Sequence, residues 1–507
     1  MFDYKNMSLE DKAARLIMID VPGTVLSGES REHLRKYAWN GVILFAKNVQ
    51  DRPQTEAFIE SLHKNAKAEM FIAIDQEGGL VDRFRFPEMS LSPGAMALGH
   101  TDDPKAVYEA HRIMGQELKD LGVHIDFAPC IDINNNPDNP IIGVRSFAET
   151  SDKVALMGVQ ALKGLREGGV IPTVKHFPGH GNTDRDSHLA LPCINSSREE
   201  LEKTELVPFK AAVEAEAEAI MTAHIVFPAL DPQLPATLSK AILTDLLRRD
   251  LGYKGVIVTD SLSMQAIADR WGFAEASVLS IEAGADLILA LGSFERQKEA
   301  LQGIVEAVRT GRLSEARLDE SLARLAKWGG KLANRPLGTI RDTDSHRSAM
   351  REITERTPAI LNNAKGLLPL KPAPGERVAV IMPDLLPQSP LGEVSRAVSI
   401  KPILAQYGIE AEEFNFHTSA FGAPLKQLVQ DVSSFDYIIL ALYARGELSD
   451  TQKELAREIP AVCGKTIIVP LSSPYIMKDI PQAHTVITAY NYGQLSLEAL
   501  VKKIAEG

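Results

Sequence analysis

Short runs of apolar and β-branched residues punctuate the N-terminal part of the chain: LIMID (16–20), GVILF (41–45), FIAID (71–75), HIDFAP (124–129), IPTVKHF (171–177), AIMTAHI (219–225), VIVTD (256–260) and LILAL (287–291). Most gaps between them hold stretches such as DPKAVYEAHRIMGQELKDLG and REELEKTELVPFKAAVEAEAEA, where apolar residues recur at three- and four-residue steps over charged faces. The short runs read as strands and the periodic stretches as amphipathic helices, so their alternation predicts a parallel sheet. Eight strand–helix repeats in about 330 residues suit a (β/α)8 barrel of TIM type with enlarged loops. A six- or seven-stranded open sheet is the rival. The polar residues favour the barrel, because Asp75, Asp132, Lys175, His176, His224 and Asp260 fall at the C-terminal ends of the third to seventh runs. In a barrel those ends converge on one face, where such folds place their chemistry.

The pattern breaks after Trp328-Gly329-Gly330 into KLANRPLGTIRDTDSHRS, a polar stretch with Pro, Gly and Ser that reads as a linker. Beyond it RVAVIMP (377–383), YIILALYA (437–444), KTIIVPLSS (465–473) and HTVITAYN (484–491) alternate with the helix-like LKQLVQDVSS and TQKELAREIP. The expected organisation is a barrel domain over 1–335, a linker over 336–352 and a smaller α/β sandwich over 353–507. The second domain carries no phosphate-cradling glycine loop.

Composition narrows the class of partner. Of 507 residues 45% are hydrophobic and 24% charged, and the formal net charge is -12. This is ordinary globular protein, and with no basic and aromatic cluster to grip a phosphate backbone, nucleic acid is not an expected partner. The N-terminal MFDYKNMSLEDKAARLIMID mixes charges throughout, so neither signal peptide nor membrane span is expected. Cys130, Cys193 and Cys463 are odd in number and widely spaced, which fits a reducing, cytoplasmic setting better than a disulfide framework.

The densest chemistry lies in KHFPGHGNTDRDSHLALP (175–192). A metal site would need His176, His180 and His188 with Asp184 or Asp186 to converge on one ion, but Pro178, Gly179 and Gly181 disfavour the helix on which a His-x3-His spacing would be meaningful. The bland alternative is a glycine-rich loop whose Asp and His side chains bond their own backbone. The third reading is an acid/base pair, Asp186 fixing one ring nitrogen of His188 and leaving the other for a substrate. Asp260 is open in the same way, since an aspartate before SLSMQAIADR could cap a helix.

That loop resembles the signature of glycoside hydrolase family 3, in its β-N-acetylglucosaminidase branch, and meets every fixed position of K-H-F-P-G-H-G-x-T-x-x-D-S-H. Further similar segments follow in the family's order: GVILFAKN (41–48), IDQEGG (74–79), GVRSF (143–147), MTAHI (221–225), PATLS (235–239), GVIVTDSLSM (255–264) and AGADLIL (283–289). One position departs, Leu80 standing where the family pattern has an arginine, and this bears on local packing more than on activity.

The resemblance implies a catalytic barrel and roles within it. Hydrolysis of a glycosidic bond with retention needs a carboxylate nucleophile and a proton donor on opposite faces of the anomeric carbon. By resemblance the nucleophile is Asp260, and the donor is His188 oriented by Asp186, on a loop expected to close over bound sugar. Asp75, Arg83, Arg145, Lys175 and His176 are the implied sugar-binding residues, with Asp132 and His224 supporting and His180 part of the loop's structure. The implied activity is that of a cytoplasmic exo-β-N-acetylglucosaminidase acting on muropeptides or chitooligosaccharide-like glycans in peptidoglycan recycling, with no metal and no organic cofactor. An imidazole that has given up its proton is neutral, so an anionic acceptor is tolerated. A phosphorylase releasing GlcNAc-1-phosphate is therefore the rival on the same scaffold. A non-enzymatic sugar-binding protein would typically have lost Asp260 or His188, and both are present.

Overall fold

Each of the eight runs forms a strand: β1 (Ile17–Ile19), β2 (Gly41–Leu44), β3 (Phe71–Ile74), β4 (Ile125–Asp126), β5 (Ile171–Phe177), β6 (Ala219–Thr222), β7 (Val256–Ser261) and β8 (Leu287–Leu289). They pair in parallel in chain order, and β1 closes against β8, so the sheet is a barrel and not the open alternative. The computed structural model describes residues 4–183, 191–331, 343–387, 394–396, 398–418 and 422–507.

The two-residue period of a strand sorts the core. Phe71, Ala73, Val256, Val258, Leu287 and Leu289 fill the barrel interior, whereas the alternate residues Ile72, Ile74, Ile257 and Ile288 pack outward against the helices. Trp328, where the repeating pattern of the sequence stops, joins the interior cluster with its ring edge-on to Phe71 at 5.7 Å between centroids. Burying side chains of this size contributes roughly 2 to 3 kcal/mol apiece.

The helix α1 (Pro104–Asp120) forms as expected, with Asp103 accepting from the backbone N–H groups of Lys105 and Ala106 and Pro104 in the first turn. The stretch 198–219 does not form one helix. It divides into Arg198–Lys203 and Leu206–Glu214, because Pro208 has no N–H to offer the Thr204 carbonyl one turn earlier.

The second domain is a six-stranded sheet in the order β9-β14-β13-β12-β10-β11, comprising β9 (Ala359–Asn363), β10 (Val378–Pro383), β11 (Ala411–Phe416), β12 (Tyr437–Leu442), β13 (Thr466–Pro470) and β14 (Thr485–Thr488). Only β9 runs antiparallel to its neighbour. The four central strands are those read from the sequence. The two edge strands escape it, since Glu412, Glu413, Asn362 and Asn363 interrupt any apolar run, as suits strands with one open side.

The polar stretch read as a linker over 336–352 is helical from Thr343 onward, in α2 (Thr343–Glu355). His346, Met350 and Ile353, at helical spacing, are buried, and Met350 and Ile353 join a cluster of the barrel's outer core. The helix also pairs with both domains: His346 Nδ1 lies 3.3 Å from Glu117 Oε1 on α1, and Arg351 reaches Glu498 at 2.5 Å. Among the described residues no helix is long and apolar enough to cross a membrane.

Candidate active site

A cavity of about 470 Å3 opens where the C-terminal ends of the barrel strands meet. Asp75 follows β3, Lys175 and His176 lie on β5, Asp260 lies on β7, and Arg83 and Arg145 reach in from the loops after β3 and β4; all six line the cavity. Phe45, Met221, Met264 and Leu291 give it an apolar wall. Neighbours on a strand normally face opposite ways. The ladder between β5 and β6 slips between Val174 and Phe177, and both Lys175 and His176 contact the cavity.

Its floor is a buried ion network. Lys175 Nζ lies 2.7 Å from Asp75 Oδ1 and 2.6 Å from Glu77 Oε1. Arg145 grips Glu77 in a two-pronged pair, Nε to Oε2 at 2.8 Å and Nη2 to Oε1 at 2.7 Å. Burial alone would favour the neutral form of Glu77, yet Arg145 and Lys175 outweigh it and hold the carboxyl well below the usual carboxylate range. The same anions hold Lys175 above its ordinary value against the cost of burial. Such charged forks add geometric specificity to the energy of the pair.

The loop after β3 is folded around one side chain. Gln76 Nε2 donates to Asp82 Oδ1 at 2.7 Å, and Gln76 Oε1 accepts from the N–H groups of Arg83 and Phe84. Gly78 and Gly79, at φ +84° and +66°, let the chain turn back directly after Glu77. Arg83 is thereby presented to the cavity, and its buried Nε has no partner among the described residues. Leu80, at the position of the departure from the family pattern, packs against the apolar core of the second domain.

Asp82 yields a pH-dependent expectation. Burial pushes its carboxyl up to about 7, against the pull of Arg85 and Arg83, whereas an aspartate in an unfolded chain titrates near 4. The unfolded state is thus ionised while the folded state still holds its proton. Stability from this group is full below about pH 4 and is lost as pH rises through 7. Asparagine keeps an oxygen for Gln76 and cannot ionise. Asp82→Asn is expected to gain on the wild type by about 3 kcal/mol, on the order of 5 °C in melting midpoint, between pH 5 and pH 8. A difference that stays constant over this range in thermal melts would show that Asp82 does not titrate there.

Asp132 ties β5 to the segment after it. Its carboxylate accepts from His176 Nδ1 at 2.6 Å, from His176 N at 3.1 Å and from His180 N at 2.7 Å. Burial opposes its charge, but His176 and His180 outweigh that and bring the carboxyl down to about 2. With Nδ1 engaged, His176 has Nε2 as its other polar ring atom. His180, read from the sequence as loop structure, also lines the cavity, and burial pushes its imidazole down to about 4. Cys130, Asp132 and His176 present ligand-type atoms within 4.8 Å of one another, the one cluster of metal-ligand type among the described residues. Asp132 in it is already saturated by these hydrogen bonds.

Asp260 is the penultimate residue of β7, and its Oδ1 accepts from Ser261 N at 2.6 Å. The helix that follows starts only at Gln265 and has no side-chain cap, so Asp260 is not its N-cap. His224 braces this strand end, with Nε2 2.9 Å from Ser261 O and Nδ1 2.7 Å from Thr237 Oγ1. Asp186 and His188 lie outside the described residues. Glu77, at the centre of the floor, and Asn139, beside the segment that leads to Asp186, are not singled out by sequence reasoning. The sole signal for Glu77 is its place in IDQEGG two residues after Asp75.

Residues 8–328 match the family described as Glycosyl hydrolase family 3 N terminal domain. Beta-hexosaminidase A of Pseudoalteromonas piscicida is 36% identical over 391 residues, 71% of this chain and 65% of that protein. The chain thus spans just under two thirds of that relative's length. A Beta-hexosaminidase of Tolumonas auensis is 36% identical over 290 residues, 57% of this chain and 86% of that protein. The solved structure of a glycoside hydrolase family 3 beta-N-acetylglucosaminidase from Paenibacillus sp. str. FPU-7 has a TM-score of 0.92 at 34% identity and covers 98% of this chain and 97% of that one. The family match takes in every strand of the barrel and Asp75, Arg83, Arg145, Lys175, His176 and Asp260 in its cavity, and the chain belongs to glycosyl hydrolase family 3.

Proposed function

We propose that this family 3 chain is a retaining exo-β-N-acetylglucosaminidase that removes non-reducing terminal β-linked GlcNAc from muropeptides or chitooligosaccharide-like glycans, in peptidoglycan recycling. The observation that carries the reading is the convergence of Asp260 with Asp75, Arg83, Arg145, Lys175 and His176 on one cavity. The names of the relatives, beta-hexosaminidase and beta-N-acetylglucosaminidase, support the sugar. Asp260 attacks the anomeric carbon while His188 protonates the leaving oxygen, which gives a covalent glycosyl-aspartate. His188 then takes a proton from water, and the hydroxide displaces Asp260 to restore the β configuration. Asp186 orients the imidazole throughout. No metal or organic cofactor enters these steps. Three free cysteines, Cys130, Cys193 and Cys463, support a reducing compartment.

The test is to incubate enzyme and chitobiose with and without inorganic phosphate and to identify the products. Free GlcNAc is expected in both, at a rate that phosphate does not change. GlcNAc-1-phosphate appearing in the phosphate arm would replace the hydrolase with a phosphorylase. No turnover of chitobiose, chromogenic β-GlcNAc or muropeptide would overturn the reading altogether.

A further inference from the structure

Asn139 sits in the loop after β4, almost fully buried at 1% exposure, and its side chain joins two segments of the mouth. The amide nitrogen donates to His180 O at 2.9 Å, to Gly181 O at 2.8 Å and, at longer range, to Thr183 Oγ1 at 3.2 Å. The amide oxygen accepts from the N–H groups of Ile141 and Ile142, both at 2.8 Å. The amide's orientation follows from these partners, because the flipped form would set NH2 against two N–H groups and oxygen against two carbonyls.

Each half of the amide holds something different. Ile142 O accepts from Arg145 N at 2.8 Å, and Arg145 is one jaw of the ion pair with Glu77, so the oxygen of Asn139 anchors the turn that presents a sugar-binding cation. The nitrogen anchors 180–183, directly before the segment that carries Asp186 and His188. That stem is held from its other side as well: His180 N donates to Asp132, and a Cβ on Gly181 would come within 1.5 Å of Ile133 O. The chain passes this point with both of its carbonyls and its closest backbone approach specified.

We propose that Asn139 is a positioning residue for proton delivery, its amide setting the stem of the His188 segment relative to the Arg145 turn. This rests on the reading of His188 as the acid/base residue. The two halves can be separated chemically. Asn139→Asp keeps an oxygen to accept from Ile141 and Ile142 but loses the donor and places a carboxylate oxygen against two carbonyls. Asn139→Ala loses both anchors.

The experiment measures kcat/KM on chitobiose, whose leaving alcohol needs a proton, and on 2,4-dinitrophenyl β-N-acetylglucosaminide, whose leaving group does not, together with inhibition by GlcNAc. A well-placed general acid contributes on the order of 100-fold or more, and small misplacements of reacting groups are costly. For Asn139→Asp we expect a loss of about 30-fold on chitobiose, under threefold on the dinitrophenyl glycoside, and GlcNAc inhibition within twofold of wild type. Asn139→Ala should show the same substrate ratio plus weaker GlcNAc inhibition. Equal losses on both substrates, or none, in both variants would overturn the proposal, as a merely structural role predicts. His188→Ala is run alongside. If it discriminates between the substrates and the Asn139 variants do not, Asn139 alone is refuted; if it does not discriminate either, the acid/base reading itself has failed.

Discussion

Replacing Asp260 by asparagine is expected to lower turnover of chitobiose and of 4-nitrophenyl β-N-acetylglucosaminide by roughly 10^3 to 10^4-fold while leaving the fold and the melting temperature intact. The change is close to isosteric. Asp260 is the penultimate residue of a barrel strand, and its Oδ1 accepts a hydrogen bond from Ser261 N that an asparagine oxygen also accepts. On the mechanism proposed above, what disappears is the negative charge that would bond to the anomeric carbon and carry the glycosyl group between the two half-reactions. If Asp260 is the nucleophile and not the acid, an activated leaving group does not help, and both substrates are expected to fall together. That separates Asp260 from His188, whose removal is felt most where the leaving group needs a proton. Near-normal turnover by Asp260→Asn on either substrate would remove Asp260 from the chemistry and the covalent intermediate with it.

The second large effect is expected at Glu77, which touches both cations of the cavity floor. Its side chain is 5% exposed, and Lys175 and Arg145 are within 2.8 Å of its oxygens. Glu77→Gln removes the charge that makes these two cations tolerable side by side. Lys175 retains Asp75, but Arg145 is left with a neutral amide. Breaking a buried pair from one side costs about 3 to 5 kcal/mol. The expected outcome is a fall in kcat/KM of about 100-fold or more, together with a drop in melting temperature on the order of 5 to 10 °C. The loss should fall largely on KM if the network only grips sugar, and on kcat as well if it fixes the ring against Asp260. Values within threefold of wild type in both readouts would mean that Lys175 and Arg145 hold their places without it.

The barrel is legible in the sequence because its strands are buried on both faces and so read as continuous apolar runs. The strand-end polar residues are legible for a related reason, since Asp75 and Asp260 each close such a run and Lys175 and His176 interrupt one just before its last residue. Strands β9 and β11 lie at sheet edges, where polar residues are favoured and the run is lost. Helix α2 hides inside a polar stretch, its buried face being His346, Met350, Ile353 and Thr354, of which two are polar. Glu77 and Asn139 are illegible for a different reason. A glutamate or asparagine in a loop is ordinarily solvated, and what gives these two their importance is a partner supplied by a distant segment. Periodicity reports a residue's neighbours along the chain, whereas Arg145 and His180 are neighbours of Glu77 and Asn139 only after folding.

The ion pairs of the floor join residues 68 positions apart, Glu77 to Arg145, and 100 positions apart, Asp75 to Lys175. Closing loops of that length costs entropy before any charge meets its partner. Lys175, Arg145 and Glu77 are therefore separate, hydrated side chains until β3, β4 and β5 stand next to one another. No shorter piece of the polypeptide has a portion of the site to offer, and a sugar cannot template the early steps of folding. Its binding energy is available only to the assembled barrel, so a tight ligand raises the stability of that whole cooperative unit in proportion to the logarithm of its concentration.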